Sequence, residues 1–210
     1  MLEKIFVKTY APPPVSKKEI LRYAGVKEGE NFDNLLKACL LETESSCRIC
    51  YLALEKEKFF SLLEVKSTLL KNRLKDSEYV LLFAATVGIE LDRNILRYTK
   101  LSPVKALFFQ AIGAERIESL CNLFCGEIAL KCEELGYATT QRFSPGYGDF
   151  PLEKQREIFD LLDCPRKIGL TLLDSGLMSP TKSVTAVIGI GKEKNEKEEK
   201  PIADTESYER

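Results

Sequence analysis

Residues 78–88 read EYVLLFAATVG, an apolar run closed by a glycine, and this stretch constrains the fold more than any other. It falls well short of the roughly 18–20 residues that a bilayer span needs, so it reads as a buried strand of a folded core. A buried strand requires others beside it, and the rest of the chain supplies them.

IFVKTY (5–10) reads as an opening strand cut off by APPPVS. CRICYLALEKE, from Cys47, and FFSLLEV, from Phe59, read as two further strands, the second returning antiparallel after the charged EKEK turn. YATTQRF, from Tyr137, alternates like a strand, and VTAVIGIG (184–191) reads as a late one. Helical spacing fills the intervals. KKEILRYAGV (17–26) and FDNLLKACLLETESS (32–46) are amphipathic, STLLKNRLKDS forms a short helix, and LEKQREIFDLL (152–162) forms another, with Asp149 and Pro151 suited to its start. From Glu90 to about Leu135 two helices are expected, split near LSPV with Pro103 in the first turn of the second and Gly136 as its stop. The row Ala106, Phe109, Ile112, Ile117, Leu120 and Phe124 drifts off one stripe near Gly113, which implies a bend or burial on more than one face. No segment repeats. Helix pairs alternating with strand pairs predict an α+β fold: one domain over residues 1–190 with a twisted, mostly antiparallel sheet and flanking helices, then a charged tail over 191–210.

There is no histidine among the 210 residues. That absence removes histidine acid/base catalysis, Ser-His-Asp and Cys-His nucleophiles, and every imidazole metal site. Thirty-one basic and 32 acidic residues give a net charge of -1, so no global field favours nucleic acid or an anionic membrane. The first residues, MLEKIFVKTYAPPP, lack the apolar core of a signal peptide, and a cytoplasmic location is expected.

The seven cysteines are an odd number without the dense spacing of a secreted disulfide framework, and they read mostly as buried thiols. Cys47 and Cys50 form a C-x-x-C that chemistry uses as half a metal site or as a dithiol, but no second pair completes it. Cys121, Cys125 and Cys132, spaced four and seven apart, share one face of the long helix. The GIG at 189–191 lacks the third glycine and following helix of a dinucleotide loop.

Two stretches combine turn chemistry with binding groups: RFSPGYGDFP (142–151) and LLDSGLMSPTKSVTAVIGIG (172–191). Gly146 and Gly148 allow close backbone approach, Arg142 offers a planar fork suited to a carboxylate, and Tyr147 offers a stacking face. An amino-acid-like or nucleoside-like ligand fits those groups, and so does a well-packed turn.

At these residues the chain resembles the activation domain of cobalamin-dependent methionine synthase in a stand-alone form. The Arg-x-x-x-Gly-Tyr hallmark is met by Arg142, Phe143, Ser144, Pro145, Gly146 and Tyr147. A Ser followed by Met-x-Pro-x-x-Ser-Val is met by Ser175 and Met178 to Val184, including Ser183. The resemblance implies an α+β fold that binds S-adenosylmethionine in a shallow, extended site. It implies Arg142 at the ligand's carboxylate and Phe143 to Gly146 with Tyr147 along the nucleoside, and Ser175 and Ser183 belong to the second motif. An acidic contact on the long helix corresponds to Glu118, whereas the nearest N-terminal acid, Glu19, is out of register. The family's Tyr after the Ser-Val element is replaced here by AVIGIG.

The resemblance further implies a component of reductive reactivation rather than a self-sufficient enzyme. Its partners would be a cobalamin-carrying methionine synthase chain and a low-potential electron donor such as a flavodoxin or ferredoxin. With no histidine and no Asp-x-His-x-x-Gly signature, cobalamin would be reached only through the partner. Two alternatives stand beside this reading: a redox or metal-binding protein using Cys47 and Cys50, and a non-catalytic interaction module for other corrinoid proteins.

Overall fold

The computed structural model describes residues 4–26 and 32–192. The apolar run becomes β3 (Tyr79–Thr86), and it lies at the centre of a five-stranded antiparallel sheet. Its neighbours are β2 (Cys47–Glu55) and β7 (Ser183–Lys192), with β1 (Phe6–Tyr10) outside β2 and β4 (Tyr137–Thr139) outside β7. Successive strand residues point to opposite faces. Leu81, Phe83 and Ala85 therefore enter one hydrophobic cluster, and Val80, Leu82 and Ala84 enter another. The unbroken apolar run Val80–Ala85 of β3 follows from helices covering both faces.

On the first face pack α1 (Lys17–Tyr23), α2 (Asp33–Glu42), α5 (Glu90–Leu101) and α6 (Pro103–Glu133). α6 is one uninterrupted 31-residue helix, started by the Ser102 side chain and Pro103. The drift in its apolar row comes from burial around most of its girth: Phe108, Phe109, Ala111, Ile112, Glu115, Arg116 and Ile117 are all buried. The second face is covered by α3 (Lys56–Leu63), α4 (Thr68–Arg73), α7 (Lys154–Leu162) and α8 (Cys164–Ile168). A two-stranded ribbon, β5 (Thr171–Leu172) with β6 (Met178–Ser179), leads into β7.

The stretch FFSLLEV, expected as a returning strand, is helical through Leu63 as the second half of α3. Phe59 and Leu63, one helical turn apart, are its buried positions, while Leu62 is 47% exposed; the density of apolar residues masked a 3.6-residue period. Asp149 does not start α7. Its carboxylate accepts from the Ser67 hydroxyl and from the backbone N–H groups of Thr68, at 2.6 Å, and Leu69, so it caps α4 across some eighty residues of sequence. YATTQRF is a strand only over its first three residues, and contact with β7 resumes at a Phe143–Val187 bridge. β7 extends through Lys192, two residues into the expected tail, and residues 193–210 of that expectation lie outside the described residues.

The GIG glycines have a packing role. A Cβ on Gly191 would lie 2.1 Å from the carbonyl oxygen of Asp76, and one on Gly189 would lie 2.2 Å from the Ser77 hydroxyl. The turn before β3 crosses β7 too closely for any side chain there.

Candidate functional site

β7 carries two series of peptide groups. Those of Val184, Ala186, Ile188 and Ile190 face β3, and those of Gly189 and Val187 face the other way. Outward partners exist at first: Thr140 N–H donates to the Gly189 carbonyl at 2.9 Å, and Phe143 and Val187 exchange two bonds of 2.9 Å. Beyond Phe143 the chain turns away. By alternation the Thr185 peptide groups are the next to point outward, and there a cavity of about 440 Å³ takes the place of a strand, within the range of small-molecule sites.

The turn-away is built by RFSPGYGDFP. Gly146 N–H donates to the Phe150 carbonyl at 2.8 Å and Tyr147 N–H to the Ser144 carbonyl at 3.2 Å. Gly146 and Gly148 hold φ of 89° and 56°, the left-handed region that glycine enters without strain. Phe150 is buried and stacks parallel to Phe143 with centroids 6.1 Å apart, anchoring the turn on the second-face core. The turn reading and the binding reading of this stretch therefore describe the same backbone.

Arg142 points from this segment toward α6, where one terminal nitrogen, Nη2, is ion-paired with Glu118. The other, Nη1, is sealed from solvent and has no partner. Burial opposes the charge on Arg142, but the nearby Cys121 thiol, the Glu118 carboxylate and Cys125 more than offset it and hold its pKa above the ordinary value. Burial pushes Cys121 up to about 12, with Arg142 pulling the other way. The result is a permanent cation at the cavity wall with an unspent donor.

Of the residues singled out in the sequence, Glu118, Arg142, Phe143, Ser144, Pro145, Tyr147 and Ser183 line this cavity. The two motifs thus converge, with Met178 and Val184 of the second also in the wall. Gly146 and Ser175 lie outside the lining; Gly146 serves the turn, and Ser175 is an exposed residue between β5 and β6. The Ser183 hydroxyl lies 2.8 Å from the Pro180 carbonyl and 2.9 Å from the Thr86 hydroxyl, so its proton is used within the chain. Glu19 is paired with Arg22 on α1 and takes no part in the lining.

Arg73, Gln141, Gln155 and Thr185 complete the wall and were not singled out in the sequence. Arg73 lies with its guanidinium 5.1 Å from the Phe143 ring centroid, and Gln155, on α7, is 4% exposed. Both sit on helices whose patterns signal only amphipathicity, so no local signal marks them.

The C-x-x-C does not form a pair. Cys47 and Cys50 are three apart on β2, so their side chains leave opposite faces, Cys47 into the first cluster and Cys50 into the second. The thiol near Cys50 is Cys164 at the start of α8, with 3.9 Å between sulfurs. Among the described residues no group of three or more Cys, Asp or Glu could hold a metal ion, and no helix is long and apolar enough to cross a membrane.

No curated protein matches the chain by sequence. Among solved structures, the crystal structure of the MetH reactivation domain bound to AdoHcy superposes with a TM-score of 0.62 at 12% identity, covering 89% of this chain and 78% of that one. A BluB-like flavoprotein from Clostridium difficile 630 gives a TM-score of 0.36 at 13% identity, covering 88% and 92%. The first match shows the fold: α+β around a curled antiparallel sheet, as the element order predicts. The sequence pattern of the family described as vitamin B12 dependent methionine synthase, activation domain, matches residues 55–198, a span that holds β3, α6, both motifs and the whole cavity wall, and the chain belongs to that family.

Proposed function

We propose that this protein binds an S-adenosylmethionine-type ligand in the β7-edge cavity and serves the reductive reactivation of cobalamin held by a methionine synthase chain. One observation carries the reading: the two motifs of the sequence, separated by α7 and α8, converge on one cavity where the Arg142 guanidinium keeps a buried nitrogen without a partner. A ligand carboxylate supplies the missing acceptor, and Glu118 keeps the fork oriented. Support for the ligand class comes from the AdoHcy that the structurally similar reactivation domain binds.

The residues here bind and orient; with no histidine in the chain, nothing in it performs imidazole acid/base chemistry or offers cobalt an imidazole. Cobalamin would be carried by the partner and would receive the ligand's methyl group, with the electron coming from a low-potential flavodoxin or ferredoxin. The contribution of this protein is then proximity: it fixes the methyl donor while the partner presents its cofactor. The reaction would take place in the cytoplasm.

Titration calorimetry with S-adenosylmethionine and S-adenosylhomocysteine tests the ligand. Saturable binding is expected, and absence of heat at millimolar ligand, with and without a cobalamin-loaded methionine synthase, overturns the reading. Return of methyl transfer by an oxidised methionine synthase, dependent on this protein, S-adenosylmethionine and the reductant together, tests the role.

A further inference from the structure

We propose that Gln155 makes the cavity selective for a purine that carries an exocyclic amine, and this rests on the S-adenosyl reading of the site above. Gln155 is 96% buried, as its 4% exposure requires, yet it forms part of the cavity wall. Its Nε2 donates to the Gly176 carbonyl at 3.1 Å. A carbonyl accepts only, so this bond fixes which end of the amide is nitrogen and leaves Oε1 as the free end. Among the described residues no hydrogen bond to Oε1 is formed, so the polar atom that Gln155 has left to offer a ligand in the cavity is an acceptor, held in one orientation by the Nε2 bond.

The surroundings suit a flat, neutral ring. Phe143 supplies an aromatic surface backed by Phe150, Met178 supplies a polarizable thioether, and Arg73 lies against the Phe143 ring with guanidinium donors that no acid of the chain occupies among the described residues. A 6-aminopurine offers an amine donor beside a ring-nitrogen acceptor, complementary to the Gln155 oxygen and to a guanidinium. A 6-oxopurine replaces the amine donor by an acceptor oxygen, which sets oxygen against oxygen at Gln155, and its N1 becomes a donor that a guanidinium does not match. Arg142 and Phe143, consecutive in an extended segment, point to opposite sides, which separates the carboxylate end of the site from the base end.

Calorimetry on the full chain compares S-adenosylhomocysteine with S-inosylhomocysteine, its 6-oxo counterpart, and with the N6,N6-dimethyl derivative, which keeps the ring and has no donor. Binding of the amine at least about tenfold tighter than either analogue is expected, the scale of leaving a buried acceptor unpaired. In Gln155→Met, whose fold is checked by thermal unfolding, the three ligands are expected to bind within about threefold of one another. Equal binding of the three ligands by the unmodified protein overturns the role of the acceptor, even if the variant does not fold. Discrimination that survives in folded Gln155→Met overturns its assignment to Gln155. Failure of all three ligands to bind the unmodified protein overturns instead the S-adenosyl reading on which this rests.

Discussion

Arg142 is ion-paired with Glu118 through one terminal nitrogen, while the other terminal nitrogen is buried without a partner. A buried donor to a charged acceptor contributes about 1.5–3 kcal/mol, so Arg142→Ala is expected to weaken S-adenosylhomocysteine binding by about ten- to a hundredfold. Lys182, whose stem lies across Gly113 and which is no part of the cavity wall, is the contrast. Lys182→Ala is expected to change affinity by about twofold at most. Calorimetric titration of the two variants side by side checks this, and equal losses would mean that the site is misplaced.

The Asp149 cap couples α4 to the RFSPGYGDFP turn. Hydrogen bonds from the Ser67 hydroxyl and from Thr68 and Leu69 N–H hold its carboxyl below the ordinary carboxylate range. Stability from a lowered pKa is fully present above the unfolded value, near 3.9, and is lost as pH falls through the folded one. Asp149→Asn is therefore expected to lower the melting temperature at pH 7, with the difference closing below about pH 4. Melting curves of the two proteins across that range check the sign. Ser67→Ala, at a buried N-cap, is expected to cost about 1–2 kcal/mol in urea unfolding.

Gly191→Ala sets a methyl against a backbone carbonyl that cannot swing aside, and is expected to cost about 1–3 kcal/mol. Gly126, inside α6, has open space where a Cβ would lie, and Gly126→Ala is expected to gain up to about 1 kcal/mol. Opposite shifts of the urea midpoint check both.

Thiol chemistry separates the cysteines. Cys125 is partly exposed and the other six are buried, so alkylation of the native protein is expected to modify Cys125 first and Cys121, raised to about 12, far more slowly. Mild oxidation is expected to give no Cys47–Cys50 bridge, because the two leave opposite faces of β2. Peptide mapping under non-reducing conditions reads both results.

The antiparallel α+β organisation was legible because buried strands and amphipathic helices leave periodic marks, and Pro103 and Gly136 bound a long helix in local chemistry. FFSLLEV escaped because a short run that is apolar almost throughout carries both periods at once. Asp149 escaped because its capping partners lie far away in the chain.

By itself the sequence determined the absence of imidazole chemistry, the two-faced burial implied by β3, and the two motifs with their Arg142 fork. Only the tertiary structure decided that β4 ends at Thr139, so that β7 is left with an open edge, and that Arg73 and Gln155 arrive there from helices on the second face. It also decided that Cys50 lies beside Cys164 and apart from Cys47. The physical reason is one of range. Periodicity, caps and turn residues act within a few positions of the chain, whereas a cavity is made by which groups are left unpaired after distant segments have packed.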